Sequence, residues 1–341
     1  MNKKTSAHIS LRVNKDENNP HGITDTNIIP IDVPCIIAIG GERTISRRDA
    51  NYYASILNRL FLASKIDDIG IYSAYYQYDD TNRNAERATL FRAAQSRIKK
   101  FDTPGTESKY INDLYSSIIK PRISNNERRF SDIDVIKNMR RVVLFTHCHG
   151  AAVVRMFQDL MLSEMQKLGY NKQTITHAMK SLLVIQHAPV APLFRNMFNT
   201  VSFMSASDSR MYFHNDFSKY VMNHAEDMAP SYFELGNFFA VYAFTYQMID
   251  EHQIVGLVPN EDQEKLTPYG KIIMTAERNA IINGVRAMQR GTPMPDIRKL
   301  IASTSQKDEI KPDFDELKTN GDFFMRIMQN DLKLERKQES R

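Results

Sequence analysis

The residues best suited to chemistry lie together at Thr146-His147-Cys148-His149-Gly150-Ala151-Ala152, directly after the apolar run Val142-Val143-Leu144-Phe145. A buried strand there feeds a tight turn that presents a thiol and opens a helix, the layout of a nucleophile elbow with cysteine in place of serine. In such an elbow, G-x-S-x-G, the residues two before and two after the nucleophile must be small so that strand and helix can approach. Gly150, Ala151 and Ala152 meet this on the helix side, whereas the β-branched Thr146 stands where glycine is usual. A thiol beside histidine at a helix N-terminus has its pKa drawn below the free value of about 8.5, which makes it a competent acyl acceptor. The plain alternative for a cysteine after an apolar strand is a small buried hydrophobe. His147 and His149 with Cys148 also raise the question of a metal site. A zinc site needs three or four ligands at recognisable spacing, and with no second Cys/His pair nearby no metal is expected.

A nucleophile so placed needs a sheet beneath it. Val33-Pro34-Cys35-Ile36-Ile37-Ala38-Ile39 is an apolar run closed by Gly40-Gly41, which predicts an interior parallel strand. Asp49 to Ser64 carries apolar residues at helical spacing, Ile69 to Tyr76 reads as a second strand, and Asn82 to Lys100 with Lys109 to Lys120 read as polar-faced helices. After the elbow, Ala151 to Lys167 is helical in pattern, Leu182-Leu183-Val184-Ile185 and Thr200-Val201-Ser202-Phe203-Met204 are short buried strands, and Phe238 to Phe244 is another apolar run. Alternation of this kind specifies an α/β fold, a mostly parallel central sheet with helices on both faces. Asp208 falls just past a strand's carboxyl end, where ligand chemistry is expected in open α/β folds.

The organisation expected is a flexible leader over residues 1–30, an α/β domain over 31–260 with a helical insertion at about 80–135, and a helical C-terminal extension over 261–341 packed on it. The insertion serves either as a lid over the sheet's carboxyl edge or as an interaction surface. A chain of 341 residues, 42% of them hydrophobic, can bury a large core. A formal charge of +5 from 45 basic and 40 acidic residues, interspersed along the chain, is a solvated mixed surface, so no nucleic-acid partner is expected. Two cysteines cannot make a disulfide framework, which points to the cytoplasm or another reducing compartment. The polar start, Met1 to Asn27, lacks the apolar core of a classical export signal. The run Phe238 to Phe244 is far shorter than the roughly 20 residues that span a bilayer. Gly40-Gly41 reads as a tight turn; with no phosphate-loop or dinucleotide fingerprint in the chain, no cofactor is expected.

Between about Cys35 and Leu257 the chain resembles the α/β-hydrolase fold and, within it, the class 3 lipases. His147-Cys148-His149-Gly150-Ala151 is similar to that family's G-H-S-L-G-G elbow, with His147 matching and Cys148 at the serine. Gln186-His187-Ala188-Pro189-Val190-Ala191 resembles its G-x-P-R-V-G turn without the arginine and glycines, and Ser205-Ala206-Ser207-Asp208 falls where the family has its triad aspartate. Tyr232 to Asn237, the strand from Phe238 and Asp250-Glu251-His252 resemble its last strand and triad histidine. The resemblance implies Cys148 as nucleophile, His252 as general base and Asp208 as the group orienting it. The oxyanion hole would take the backbone N–H of His149 and a second donor near Gly41 or Glu42. His224 and His214 compete with His252 as the base, and Asp216 and Asp227 compete with Asp208. Implied is a lipase-like or esterase-like hydrolase acting on an ester, thioester or lipid acyl bond of a small molecule or lipid. The alternatives are an acyltransferase, or a catalytically inactive module that binds a ligand or partner protein.

Overall fold

The structure, a computed structural model, describes residues 7–12, 22–26, 28–41, 44, 46–76, 106–126, 128–189, 196–205, 231–235, 238–243, 254–301 and 318–319. Six parallel strands form the centre of the sheet. Their spatial order is β4 (Gly70–Tyr76), β3 (Cys35–Ile39), β7 (Val142–His147), β8 (Leu183–His187), β9 (Asn199–Ser205) and β11 (Phe238–Ala243). β3, β7 and β8 are buried along their whole length, which is why they read as unbroken apolar runs rather than alternating ones. At one edge β1 (Ala7–Arg12) pairs antiparallel with β4, and β2 (Ile23–Thr26) pairs antiparallel with β1. At the other, β10 (Ser231–Leu235) runs antiparallel to β11 and parallel to β12 (Lys318–Thr319). The sheet thus has ten strands among the described residues, and a short hairpin, β5 (Ser124–Asn125) with β6 (Arg128–Arg129), stands apart from it.

Helices cover both faces, as the alternation predicts. One face carries α1 (Arg47–Ala63), α7 (Pro268–Gln289) and α8 (Ile297–Ile301), packed on Ile36, Ala38, Val143, Phe145, Leu183 and Ile185. The opposite face carries α2 (Thr106–Ile118), α3 (Lys120–Ile123), α4 (Asp132–Met139), α5 (Gly150–Lys167) and α6 (Lys172–Ser181), packed on Cys35, Ile37, Ile39, Val142, Leu144 and Val184. Side chains one apart on a strand therefore enter different cores, the period-2 rule of an extended chain. Helix starts are set locally: Ser46, Ser131, Asn171 and Thr267 each accept a hydrogen bond from the backbone N–H three residues on.

One placement differs from what the sequence predicts. β1 and β2 lie within residues 1–30, expected as a leader, yet Ile9 and Ile23 are buried and the Ser10 hydroxyl donates to Asp25. Asp25 in turn pairs with Arg47 of α1 and accepts from the Tyr75 hydroxyl, tying β2 to the helix and to β4. α7, within the segment expected to pack on the domain, lies against the sheet and covers much of one face. No helix among the described residues is long and apolar enough to cross a membrane.

Candidate active site

The path of the chain opens a crevice between β3 and β7. From β3 it passes into α1 on one face and pairs outward through β4; from β7 it passes into α5 on the other face and pairs outward through β8. Neighbouring strands that hand their chain to opposite faces leave a gap outside their carboxyl ends, and ligands bind there in open α/β sheets. Gly41 follows β3 and Cys148 follows β7, so the two sit on opposite lips of that gap. They touch: a Cβ placed on Gly41 would stand 2.7 Å from the Cys148 Cβ and 3.1 Å from its Sγ.

The turn itself has the backbone of an elbow. β7 ends at His147, α5 starts at Gly150, and Cys148 between them adopts φ 55°, a left-handed conformation that costs a non-glycine residue of order 1–3 kcal/mol. The strained peptide is anchored by the Cys148 N–H donating to the His187 carbonyl at 3.2 Å and by the Ala151 N–H donating to the Cys148 carbonyl at 3.1 Å. Gly150 explains the close fit: a Cβ there would lie 2.0 Å from the Ile39 carbonyl oxygen. Thr146, where glycine is usual, is accommodated inside β7, fully buried but with its hydroxyl finding no hydrogen-bond partner among the described residues.

Cys148 is 3% exposed, and its Sγ lies 3.1 Å from Nδ1 of His149, within reach for proton exchange. His149 is also the N-cap of α5 and makes no side-chain cap bond, so Cys148 directly precedes the N-cap of an 18-residue helix, whose end carries partial positive charge. His147, its ring in register with His187 on β8, turns to the α1 face, where its Nδ1 meets the Tyr53 hydroxyl at 2.8 Å. Burial pushes the Tyr53 phenol up to about 12, against the opposing hydrogen bonds of Thr44 and the Gly41 backbone and reinforced by Cys148's charge. Tyr53 is thus a protonated hydroxyl throughout the neutral range. Next to His147, ring centroids 5.6 Å apart, His187 holds Nδ1 at 2.9 and 3.1 Å from the two carboxylate oxygens of Glu277 on α7.

The structure brings together Gly41, Thr146, His147, Cys148, His149 and Gly150 of the residues singled out from sequence. Glu42, Asp208, His214, His224 and His252 lie outside the described residues, as do the competing Asp216 and Asp227. His149, expected to lend only its backbone N–H, also brings its imidazole to the sulfur. Tyr53 and Glu277 were not foreseen, because each lies about ninety residues from its histidine and looks like an ordinary position of an amphipathic helix. His187 had a signal, a histidine ending an apolar strand, but its carboxylate partner had none. Among the described residues no three His, Cys, Asp or Glu side chains converge as metal ligands.

A thiol on a strained turn at the switch between two chain directions, beside an imidazole and a helix N-terminus, can be deprotonated and can attack an electrophilic carbon. The strand order and the elbow are compatible with the α/β-hydrolase architecture. A scan against models of protein families finds no match, and a search of curated proteins finds no significant one. The chain is therefore placed by its architecture, an α/β fold with a mostly parallel central sheet and a cysteine elbow at its switch point.

Proposed function

We propose that this protein is a cysteine-nucleophile hydrolase of class 3 lipase-like type, cleaving an ester, thioester or lipid acyl bond through an acyl-enzyme. The observation that carries the reading is the left-handed Cys148 at the strand-to-helix turn with His149 Nδ1 at 3.1 Å. In the first step the thiol proton passes to an imidazole, Sγ bonds to the acyl carbon, and the carbonyl oxygen becomes an oxyanion. Backbone N–H groups of His149 and of the loop after β3, at Gly41 or Glu42, would receive that oxyanion. Its collapse breaks the bond to the leaving oxygen or sulfur, which takes the proton back. Water then cleaves the thioester and restores the thiol; an alcohol or amine in its place would make the enzyme an acyltransferase. Two imidazoles compete for the proton: His149, and His252 oriented by Asp208 as the lipase resemblance implies.

The test is p-nitrophenyl butyrate at neutral pH, following nitrophenolate release and the mass of the intact protein. A burst with one butyryl group that survives Cys35→Ala and vanishes in Cys148→Ala supports the hydrolase; whichever of His149→Ala and His252→Ala abolishes it identifies the base. The second reading, an inactive binding module, draws on the 3% exposure of Cys148. Absence of a butyryl adduct on Cys148, with both cysteines slow toward a small electrophile, would replace the hydrolase by that module.

A further inference from the structure

The mixed charge of the chain is not spread evenly over the fold. Residues 120–182 hold eleven Lys or Arg against five Asp or Glu, an excess larger than the +5 of the whole chain. The fold gathers many of them on one plate. α4 and α6 pack side by side and lead into the neighbouring parallel strands β7 and β8, so they run in the same direction. Their starts are joined by the Asn171 side-chain amide, which donates to Asp132 at 3.2 Å. The β5–β6 hairpin is fastened to the same plate: Arg129 donates to the Gly169 carbonyl at 2.6 Å, and its guanidinium lies 4.9 Å from the centre of the Tyr170 ring. Part of the positive charge is matched within the protein. Arg129 pairs with Asp132, Arg155 with Asp159 and Lys120 with Glu164, while Arg141 donates to the Asp32 carbonyl and Arg122 is buried against Ile118 and Cys35. Arg128, Lys137, Arg140, Lys167, Lys172 and Lys180 meet no carboxylate among the described residues, and all but the half-buried Arg140 are exposed. The described acid left on this face is Asp134, which is engaged by Ser131. Helix dipoles favour Lys137 and Lys180 in the last turns of α4 and α6, but Lys172 opens α6, where the dipole opposes a cation and no acidic residue offsets it. Among these cations Ile133, one helical turn from Lys137, is 65% exposed.

We propose that this α4–α6 face docks on an anionic phospholipid bilayer. Two helices lying side by side present a broad surface rather than a groove, with Lys172 and Lys180 about 12 Å apart along α6. Cations spread over such a face match the phosphate plane of a membrane. Ile133 selects the bilayer among polyanions. A nucleic-acid backbone would use the cations and leave Ile133 in water, whereas a lipid surface takes the cations at its headgroups and the apolar side chain at the acyl boundary. Lys172 is explained in the same way, since lipid phosphate supplies the anion that the first turn of α6 lacks. α4 ends at Met139, just before β7 begins, and the elbow follows the other end of that strand. Docking therefore does not require the crevice beside Cys148, and the proposal does not depend on which residue is the nucleophile.

The test is co-sedimentation of the full chain with sucrose-loaded vesicles, either pure phosphatidylcholine or phosphatidylcholine with about 30% phosphatidylserine, at about 0.1 M and about 0.5 M salt. The chain should partition onto the serine-containing vesicles at low salt, stay off the neutral ones, and release at high salt, where screening is stronger. Lys137→Glu, Lys172→Glu and Lys180→Glu together should weaken partitioning by more than about a hundredfold, at about fivefold for each cation. Ile133→Ser alone should weaken it about fivefold. The matched control reverses three exposed cations of the opposite layer, with Lys65→Glu, Arg290→Glu and Lys299→Glu. Its net charge changes by the same amount, yet it should bind at least about tenfold more tightly than the first triple variant. Equal loss in the two triple variants overturns the proposal, as does equal binding to both kinds of vesicle or binding to neither. Tight binding to a labelled RNA duplex without vesicle binding would replace the bilayer by a nucleic acid.

Discussion

Gly150→Ala should be among the most damaging single-methyl additions this chain can receive. The new Cβ would lie 2.0 Å from the Ile39 oxygen, 2.9 Å from the Ile39 carbonyl carbon and 3.1 Å from the Gly40 oxygen. All three are backbone atoms of the strand end beside the elbow, so no rotamer change relieves the contact. The start of α5 must instead withdraw from β3 by about 1 Å, in a core packed as densely as an organic crystal. Overpacking against fixed backbone places the cost at about 3 kcal/mol or more. Gly169→Ala is the matched control. Gly169 has φ 76° just past the end of α5, and a Cβ there meets nothing within 4 Å, so its cost is conformational alone, about 1 kcal/mol. Urea unfolding followed by circular dichroism separates the two. At a slope of about 3 kcal/mol/M, Gly150→Ala should lower the midpoint by roughly 1 M and Gly169→Ala by about a third of that. Equal midpoints would refute the claim that steric approach of strand and helix, rather than backbone freedom, fixes glycine at 150.

Two further predictions concern buried groups around the elbow. Thr146→Val exchanges a buried hydroxyl that has no hydrogen-bond partner among the described residues for a methyl of the same shape, and should stabilise the fold by about 1 kcal/mol in the same urea assay; a loss of stability would show that the hydroxyl is satisfied. Tyr53 should give a phenolate absorbance step near pH 12 that is missing in Tyr53→Phe. The unfolded phenol ionises near 10 while the folded one stays protonated, so this stability is full below pH 10 and is lost as pH rises to about 12, in total about 2–3 kcal/mol. Thermal melts at pH 9 and 11 should therefore converge in Tyr53→Phe relative to the unaltered protein, and parallel losses in both would refute the assignment.

Much of this architecture is legible in the residues. Runs such as Cys35 to Ile39 and Val142 to Phe145 are apolar throughout because both faces of an interior parallel strand are covered, and the small residues after Cys148 announce the turn. What pattern does not carry is long-range pairing. β1 is a short strand between β4 and the edge strand β2, with only Ile9 and Leu11 to mark it, and its antiparallel partners give no local trace. Glu277 falls on an otherwise apolar helix face, where a lone acidic residue carries no sign of the histidine it meets ninety positions earlier. The imidazole of His149 escaped for the opposite reason, since its nearness to the sulfur follows from a positive φ that sequence does not display.

The late position of α7 also governs the order in which the molecule can assemble. Val143, Phe145, Leu183 and Ile185 need residues 273–288 to cover them, and Gln289 reaches back 222 positions to the Asp67 carbonyl. During synthesis the sheet's central strands emerge with one greasy side open to water for the length of roughly a hundred residues, and contacts of such separation close slowly. The same helix brings Glu277, so a nascent or truncated chain that ends before it lacks both the cover of that face and the carboxylate beside His187. Completion of the chain and completion of the site become one event.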